Sequence, residues 1–136
     1  MLKFSSKIKY AIIAIIELAE KYERELVQIT DIVKHRKVPK NYMEQILNRL
    51  SKHGIVKSVR GNKGGYKLTK DPANLKLLEI IESLEGEIKL IDDVGLSAFE
   101  EIVYSIEDDI KNKLNISITD LMVLQKKYEA NLMYHI

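Results

Sequence analysis

The sequence predicts a mainly α-helical chain with one small β-hairpin: a winged helix-turn-helix followed by a long C-terminal helix suited to dimerisation. Three observations lead there. A helix with a clean apolar period lies near residues 39–53, a hairpin rich in glycine and cations follows it without a linker, and a heptad seam lies toward the C-terminus. In the first, Met43, Ile46, Leu47 and Leu50 fall at i, i+3, i+4 and i+7, while Lys40, Asn41, Glu44, Gln45, Asn48, Arg49 and Lys52 stay on the polar faces. Pro39 suits a first turn, where no amide donor is needed. Gly54, after His53, suits the stop, because glycine takes positive φ without strain.

In the second, Ile55 to Val59 and Tyr66 to Thr69 read as short strands around Arg60-Gly61-Asn62-Lys63-Gly64-Gly65. A phosphate-cradling nucleotide loop needs a helix directly after its glycines and usually Lys followed by Ser or Thr; here Lys63 precedes them and a strand follows. What stays open is a plain surface hairpin or a wing that reaches nucleic acid. In the third, Phe99, Val103, Ile106 and Ile110 step by 4, 3 and 4, with Ile102 and Leu114 widening the stripe and Glu100, Glu101, Glu107, Asp108, Asp109, Lys111 and Lys113 outside it. Such a helix finds its partner in the same helix of another copy, or packs back on its own domain.

The remaining elements fit around these. Ser5 or Ser6 caps a first helix to about Tyr22, with Ile8, Ala11, Ile12, Ile15 and Ala19 on one face and Ile13 and Ile16 on another. The first face suits a core; the second suits that same core, the C-terminal half, or a second subunit. Leu26 to Gln28 is extended, and Thr30 to Val33 opens a second helix with Ile29, Ile32 and Val33 inward, closed by His35, Arg36 and Lys37, cations that oppose the helix dipole. Asp71-Pro72 breaks the chain before a fourth helix over 75–84 with Leu77, Leu78, Ile81 and Leu84 inward, ended by Gly86. Residues 88–94 form a linker in which Asp92 and Asp93 read as a solvated turn rather than a metal site, having no nearby His or third carboxylate. Ser97 caps the fifth helix, to about Leu114, and Thr119 a last one through Leu121, Leu124 and Tyr128. The expected division is a DNA-binding domain over 1–86, a linker over 87–96, and a dimerisation helix with C-terminal helix and tail over 97–136.

Composition narrows the function. The 136 residues contain no cysteine, which excludes disulfides, thiolate nucleophiles and Cys-ligated zinc or iron–sulfur centres. The net charge of +2 hides a division: residues 1–70 hold 16 Lys and Arg against 6 Asp and Glu, whereas residues 71–136 hold 6 against 14. The basic half suits a polyanion, which with the helix and hairpin points to double-stranded DNA. Tyr10 to Ile16 is too short an apolar run for a membrane span, so no membrane role and a cytoplasmic location are expected. His35, His53 and His135 lie apart from any acid or nucleophile at catalytic spacing, so no enzyme is expected, nor any cofactor.

The segments SSKIKYAIIAIIELA, YMEQILNRLSKHGIVKSVRGNKGGYKL, LKLLEIIESLEG and SITDLM together resemble the Rrf2 family of bacterial transcription regulators. The resemblance covers most of the chain and is most specific in the wing, with its Arg-Gly and Gly-Gly-Tyr. It implies a dimeric winged-helix protein with the fifth helix as dimerisation element. Many members carry three cysteines between helices four and five for an iron–sulfur cluster; residues 88–96 here have none, so cluster-based sensing is not implied. A cluster-free branch, typified by the repressor of cysteine metabolism in Gram-positive bacteria, looks closer. Its members end in a short aromatic tail with terminal isoleucine, which docks into cysteine synthase and makes that enzyme a co-repressor. Tyr134-His135-Ile136 is similar in type, with His135 in place of the usual aromatic; a terminal carboxylate beside one apolar side chain mimics a small amino acid. A frayed end is the alternative.

The resemblance also implies base-facing roles for Asn41, Glu44 and Gln45, and minor-groove roles for Arg60 and Lys63. Pro39 replaces the usual capping Ser or Thr, and Phe99 stands where many members have tryptophan. The full expected DNA-binding set is Lys40, Asn41, Tyr42, Glu44, Gln45, Arg49, Arg60 and Lys63; the dimerisation set is Phe99, Ile102, Val103, Ile106, Ile110 and Leu114. Together they describe a homodimeric repressor on a pseudo-palindromic operator. The rivals are a winged-helix module for protein contact and a regulator of this family answering another, non-iron–sulfur signal.

Overall fold

The computed structural model describes residues 3–34, 36–92, 95 and 97–134. Helix α1 spans Ser6–Glu20, α2 Ile29–Val33 and α3 Lys40–Lys52; strands β1 (Val56–Val59) and β2 (Gly65–Leu68) follow, then a 3₁₀ turn at Pro72–Asn74, α4 (Leu77–Glu85), α5 (Ala98–Leu114) and α6 (Ile118–Tyr134). The strands pair antiparallel, with Val56 opposite Leu68 and Val59 opposite Gly65. Mainly helical architecture with one hairpin is what the sequence predicts.

Helix α1 is the spine of the core. Ala11, Ala14 and Ile15 are wholly buried, and the two alanines let α3 and α4 approach closely. All four stripe residues of α3 are buried against it, as their spacing requires. Gly54 takes φ 73° past the end of α3, and Gly86 takes φ 85° past the end of α4, the left-handed stops expected of both. Ile13 and Ile16 on α1's second face are half-buried and, with Met122 of α6, line a groove of about 440 Å³. That face therefore meets the C-terminal half of its own chain.

Several boundaries differ from the sequence reading. Pro39 is not the first helical residue but the extended one before it (φ −57°, ψ 134°), with the helix starting at Lys40. Ser5 stands at the N-cap of α1, yet its hydroxyl donates to the Glu85 carboxylate instead of capping. Helix α4 begins at Leu77, because Leu75 and Lys76 run extended beside residues 116–118: Leu77 donates to the Ile116 carbonyl at 2.9 Å and Ile118 to that of Leu75 at 2.8 Å. The shift buries Ile80 with Ile81 and Leu84, and leaves Leu77 and Leu78 half-buried. The same pairing starts α6 early, so Ser117, not Thr119, caps it: the Ser117 hydroxyl accepts from the Asp120 amide at 3.0 Å. Ser97 caps α5 as expected, accepting from the Glu100 amide at 3.3 Å. Asp92 is exposed; Asp93, Val94, Leu96 and His35 lie outside the described residues.

Candidate nucleic-acid interface

Burying Met43, Ile46, Leu47 and Leu50 turns the opposite side of α3 outward, where Lys40, Asn41, Glu44, Gln45, Asn48 and Lys52 are exposed. That surface mixes cations, which meet phosphates, with amides and a carboxylate, which read base edges. Tyr42 differs: it is half-buried, its ring standing edge-on to Tyr10 of α1 with centroids 5.9 Å apart at 84°. The Arg49 backbone is on the outward helix, but its Nε is turned toward the Ser83 carbonyl of α4, at 3.5 Å. Arg49 is itself exposed, with that one nitrogen directed to α4, while Lys40, Asn41, Glu44 and Gln45 face out.

The hairpin lies beside this surface and is held there. Val27, just before α2, donates to the Tyr66 carbonyl at 3.0 Å and accepts from the Tyr66 amide at 2.8 Å, a single antiparallel bridge that pins the approach to α2 against β2. Burial pushes the Tyr66 phenol above its ordinary pKa, and the Glu44 carboxylate of α3 pushes it further. At the turn, Gly64 is buried so tightly that an added Cβ would sit 2.1 Å from the Val59 carbonyl oxygen. Arg60 and Lys63 flank that turn and are exposed, and among the described residues neither they nor Lys40 forms an ion pair. Their charge is available to a phosphate backbone.

Residues 4–132 match the family described as Rrf2, iron-dependent transcriptional regulator. The transcriptional regulator IscR of Cereibacter sphaeroides is 31% identical over 115 residues, covering 83% of this chain and 74% of its own. Among solved structures, CymR, the global cysteine regulator of B. subtilis, superposes with TM-score 0.80 at 33% identity, over 89% of this chain and 96% of that one. IscR of T. potens superposes with TM-score 0.77 at 32% identity, over 95% and 90%. This chain belongs to the Rrf2 family. Rrf2 proteins are transcriptional regulators and not enzymes, and the winged helix-turn-helix is their fold.

The family's description names iron, and the sequence has no cysteine to supply a thiolate for an iron–sulfur cluster. Among the described residues no three His, Asp or Glu side chains gather at one place.

Of the residues singled out in the sequence, the structure gathers Lys40, Asn41, Glu44 and Gln45 on one exposed face and puts Arg60 and Lys63 at the wing turn. The seam of α5 is open: no residue of that helix is buried, Phe99 is 66% exposed, Ile102 60% and Ile106 46%, while Val103, Ile110 and Leu114 are half-buried. Tyr134 ends α6 at 88% exposure; His135 and Ile136 lie outside the described residues. Gln28 and Tyr66 were not among the candidates, and only their long-range contacts identify them. No helix among the described residues is long and apolar enough to cross a membrane.

Proposed function

We propose that this chain is a cytoplasmic, homodimeric repressor that binds a pseudo-palindromic DNA operator. The observation that carries the reading is the outward face of α3, with Lys40, Asn41, Glu44 and Gln45 polar and exposed, set beside a wing whose Arg60 and Lys63 form no ion pair among the described residues. In this reading Asn41, Glu44 and Gln45 meet base edges in the major groove, Lys40 and Tyr42 hold the backbone, Arg49 supports the far end of the helix, and the wing reaches the adjacent minor groove. The division into a DNA-binding part over 1–86 and a dimerisation part over 97–136 follows from it. The open seam of α5 supports a second copy as its cover, since Phe99, Ile102 and Ile106 leave a contiguous apolar face in water.

The likeness to CymR supports a role in cysteine metabolism, with Tyr134-His135-Ile136 as the segment that docks into cysteine synthase. The test is to select fragments of the native genome with the purified protein at physiological salt, with and without cysteine synthase. The proposal expects palindromes upstream of sulfur-uptake and cysteine genes, retained better with the enzyme. Palindromes elsewhere, indifferent to the enzyme, would remove the cysteine role and keep the repressor. Absence of any enrichment would refute sequence-specific binding. Deleting Ile136 is expected to abolish enzyme contact and leave the dimer intact; unchanged enzyme binding would remove the tail from the mechanism.

A further inference from the structure

Strand β2 is paired along one edge to β1 and bridged at one residue, Tyr66, to Val27 on the other. One residue beyond Val27, the Gln28 side-chain amide donates to the Gly64 carbonyl at 3.3 Å, across 36 residues of sequence and in part-buried surroundings. Gln28 is the residue immediately before α2, where a side chain ordinarily turns inward to accept from the first free helix amides. It makes no such cap bond. Its amide is committed to the wing instead, at the one turn residue whose backbone is most confined: a Cβ on Gly64 would also meet Arg60 and Gly61 backbone atoms at 2.9 Å.

We propose that Gln28 is a positioning residue for DNA recognition. It ties the glycine corner carrying Arg60 and Lys63 to the start of the helix-turn-helix, so that wing and recognition helix meet DNA in one fixed register. Tyr66, bonded through its backbone to Val27 in both directions, is the second tie in the same corner. The chain before α2 and the wing are thereby joined at two points, and loosening Gln28 frees the wing turn without touching the core stripe of α3. The inference rests on the reading that the wing contacts DNA.

The test uses the full-length protein with Gln28→Ala and the near-isosteric Gln28→Glu, which keeps the shape but has no N–H to donate. The DNA probe is a duplex recovered from a randomised library by selection with the wild-type protein. Backbone NMR order parameters at residues 60–64 should fall from about 0.85 toward 0.6 in both variants, with the thermal midpoint unchanged. Affinity for the duplex should drop about three- to tenfold, the size of one modest hydrogen bond, with hydroxyl-radical protection lost in the minor groove and protection of guanine N7 from methylation kept in the major groove. In an Arg60→Ala, Lys63→Ala background the Gln28 changes should cost nothing further. Unchanged wing order, or full additivity with the wing changes, overturns the proposal. So does a loosened wing that binds as tightly as the parent while Arg60→Ala still weakens binding. Arg60→Ala, Lys63→Ala binding DNA as the parent does would instead overturn the wing reading itself.

Discussion

In the proposed dimer, replacing Ile106 by aspartate should separate the two copies while leaving each folded. Ile106 lies mid-seam on α5 and is 46% exposed in the single chain, so a second copy would cover roughly half of the side chain. Full burial of such a side chain stabilises by about 1.5–3 kcal/mol, which gives about 1 kcal/mol per copy and, because a twofold interface counts every residue twice, about 2 kcal/mol per dimer. The carboxylate adds an unpaired charge in the interface on each side, which even after relaxation costs several kcal/mol. A combined loss of at least about 4 kcal/mol weakens dimerisation roughly a thousandfold. The monomer feels little, since the position is solvated in it and such substitutions stay within about 0.5 kcal/mol. Sedimentation equilibrium over a concentration series reads the dissociation constant, and far-ultraviolet circular dichroism reads the fold. Ser105→Asp, which puts the same charge on an exposed position outside the heptad seam, is the control and should remain dimeric. A dimer of parental strength in Ile106→Asp would refute α5 as the seam.

Four further outcomes follow from the same geometry. Gly64→Ala places a methyl against three backbone atoms, so it should cost about 1–3 kcal/mol in the wing and reduce DNA affinity at least as much as Arg60→Ala, measured by denaturant titration and fluorescence anisotropy. Glu23, at φ 61°, carries a left-handed strain of about 1 kcal/mol, so Glu23→Gly should raise the thermal midpoint by a few degrees, a gain that calorimetry reads directly. Arg60→Ala should weaken binding by about 1–3 kcal/mol and relax base preference, whereas Lys63→Ala should chiefly lower the salt slope by about 1; a uniform loss across sequences for Arg60→Ala would remove its base contact. The last concerns alkali. Burial followed by Glu44 raises the Tyr66 pKa, burial followed by Glu23 raises that of Tyr22, and the hydrogen bond to Glu87 raises that of Lys111. Each group then holds its proton in the folded state to higher pH than in the unfolded one, so stability is full below the ordinary values near 10 and is lost as pH rises from there through the raised ones. Tyr66→Phe should flatten that fall in urea midpoints taken from pH 8 to 11.

The parts of the fold legible in the sequence are those built from local signals. Helix α3 needed only four apolar residues at helical spacing, with Pro39 before it and Gly54 after it, and its polar face followed by subtraction. The wing was legible because Arg60 to Gly65 could be little else than a turn between strands. What escaped was decided by pairing between distant segments. Leu75 and Lys76 look helical beside Leu77 and Leu78, yet they bond to residues 116–118, which moves the start of α4, buries Ile80, and hands the cap of α6 to Ser117. Gln28 reads as an ordinary polar residue before a helix, since nothing nearby in sequence reveals its bond to Gly64. Arg49 shares a helix with Gln45 but turns to Ser83, a direction set by where α4 packs. The site was therefore readable as a surface, and its internal bracing was not.

The central claim is that two copies present α3 and the wing to DNA as a twofold reader. It is tested most directly by hydroxyl-radical and methylation footprinting of a genomic fragment retained by the protein. The account predicts two symmetric major-groove protections centred one or more helical turns apart, about 10 bp each, flanked by minor-groove protections that disappear in Arg60→Ala, Lys63→Ala. A single unsymmetric protection, or a uniform one indifferent to sequence and to those two substitutions, would contradict it.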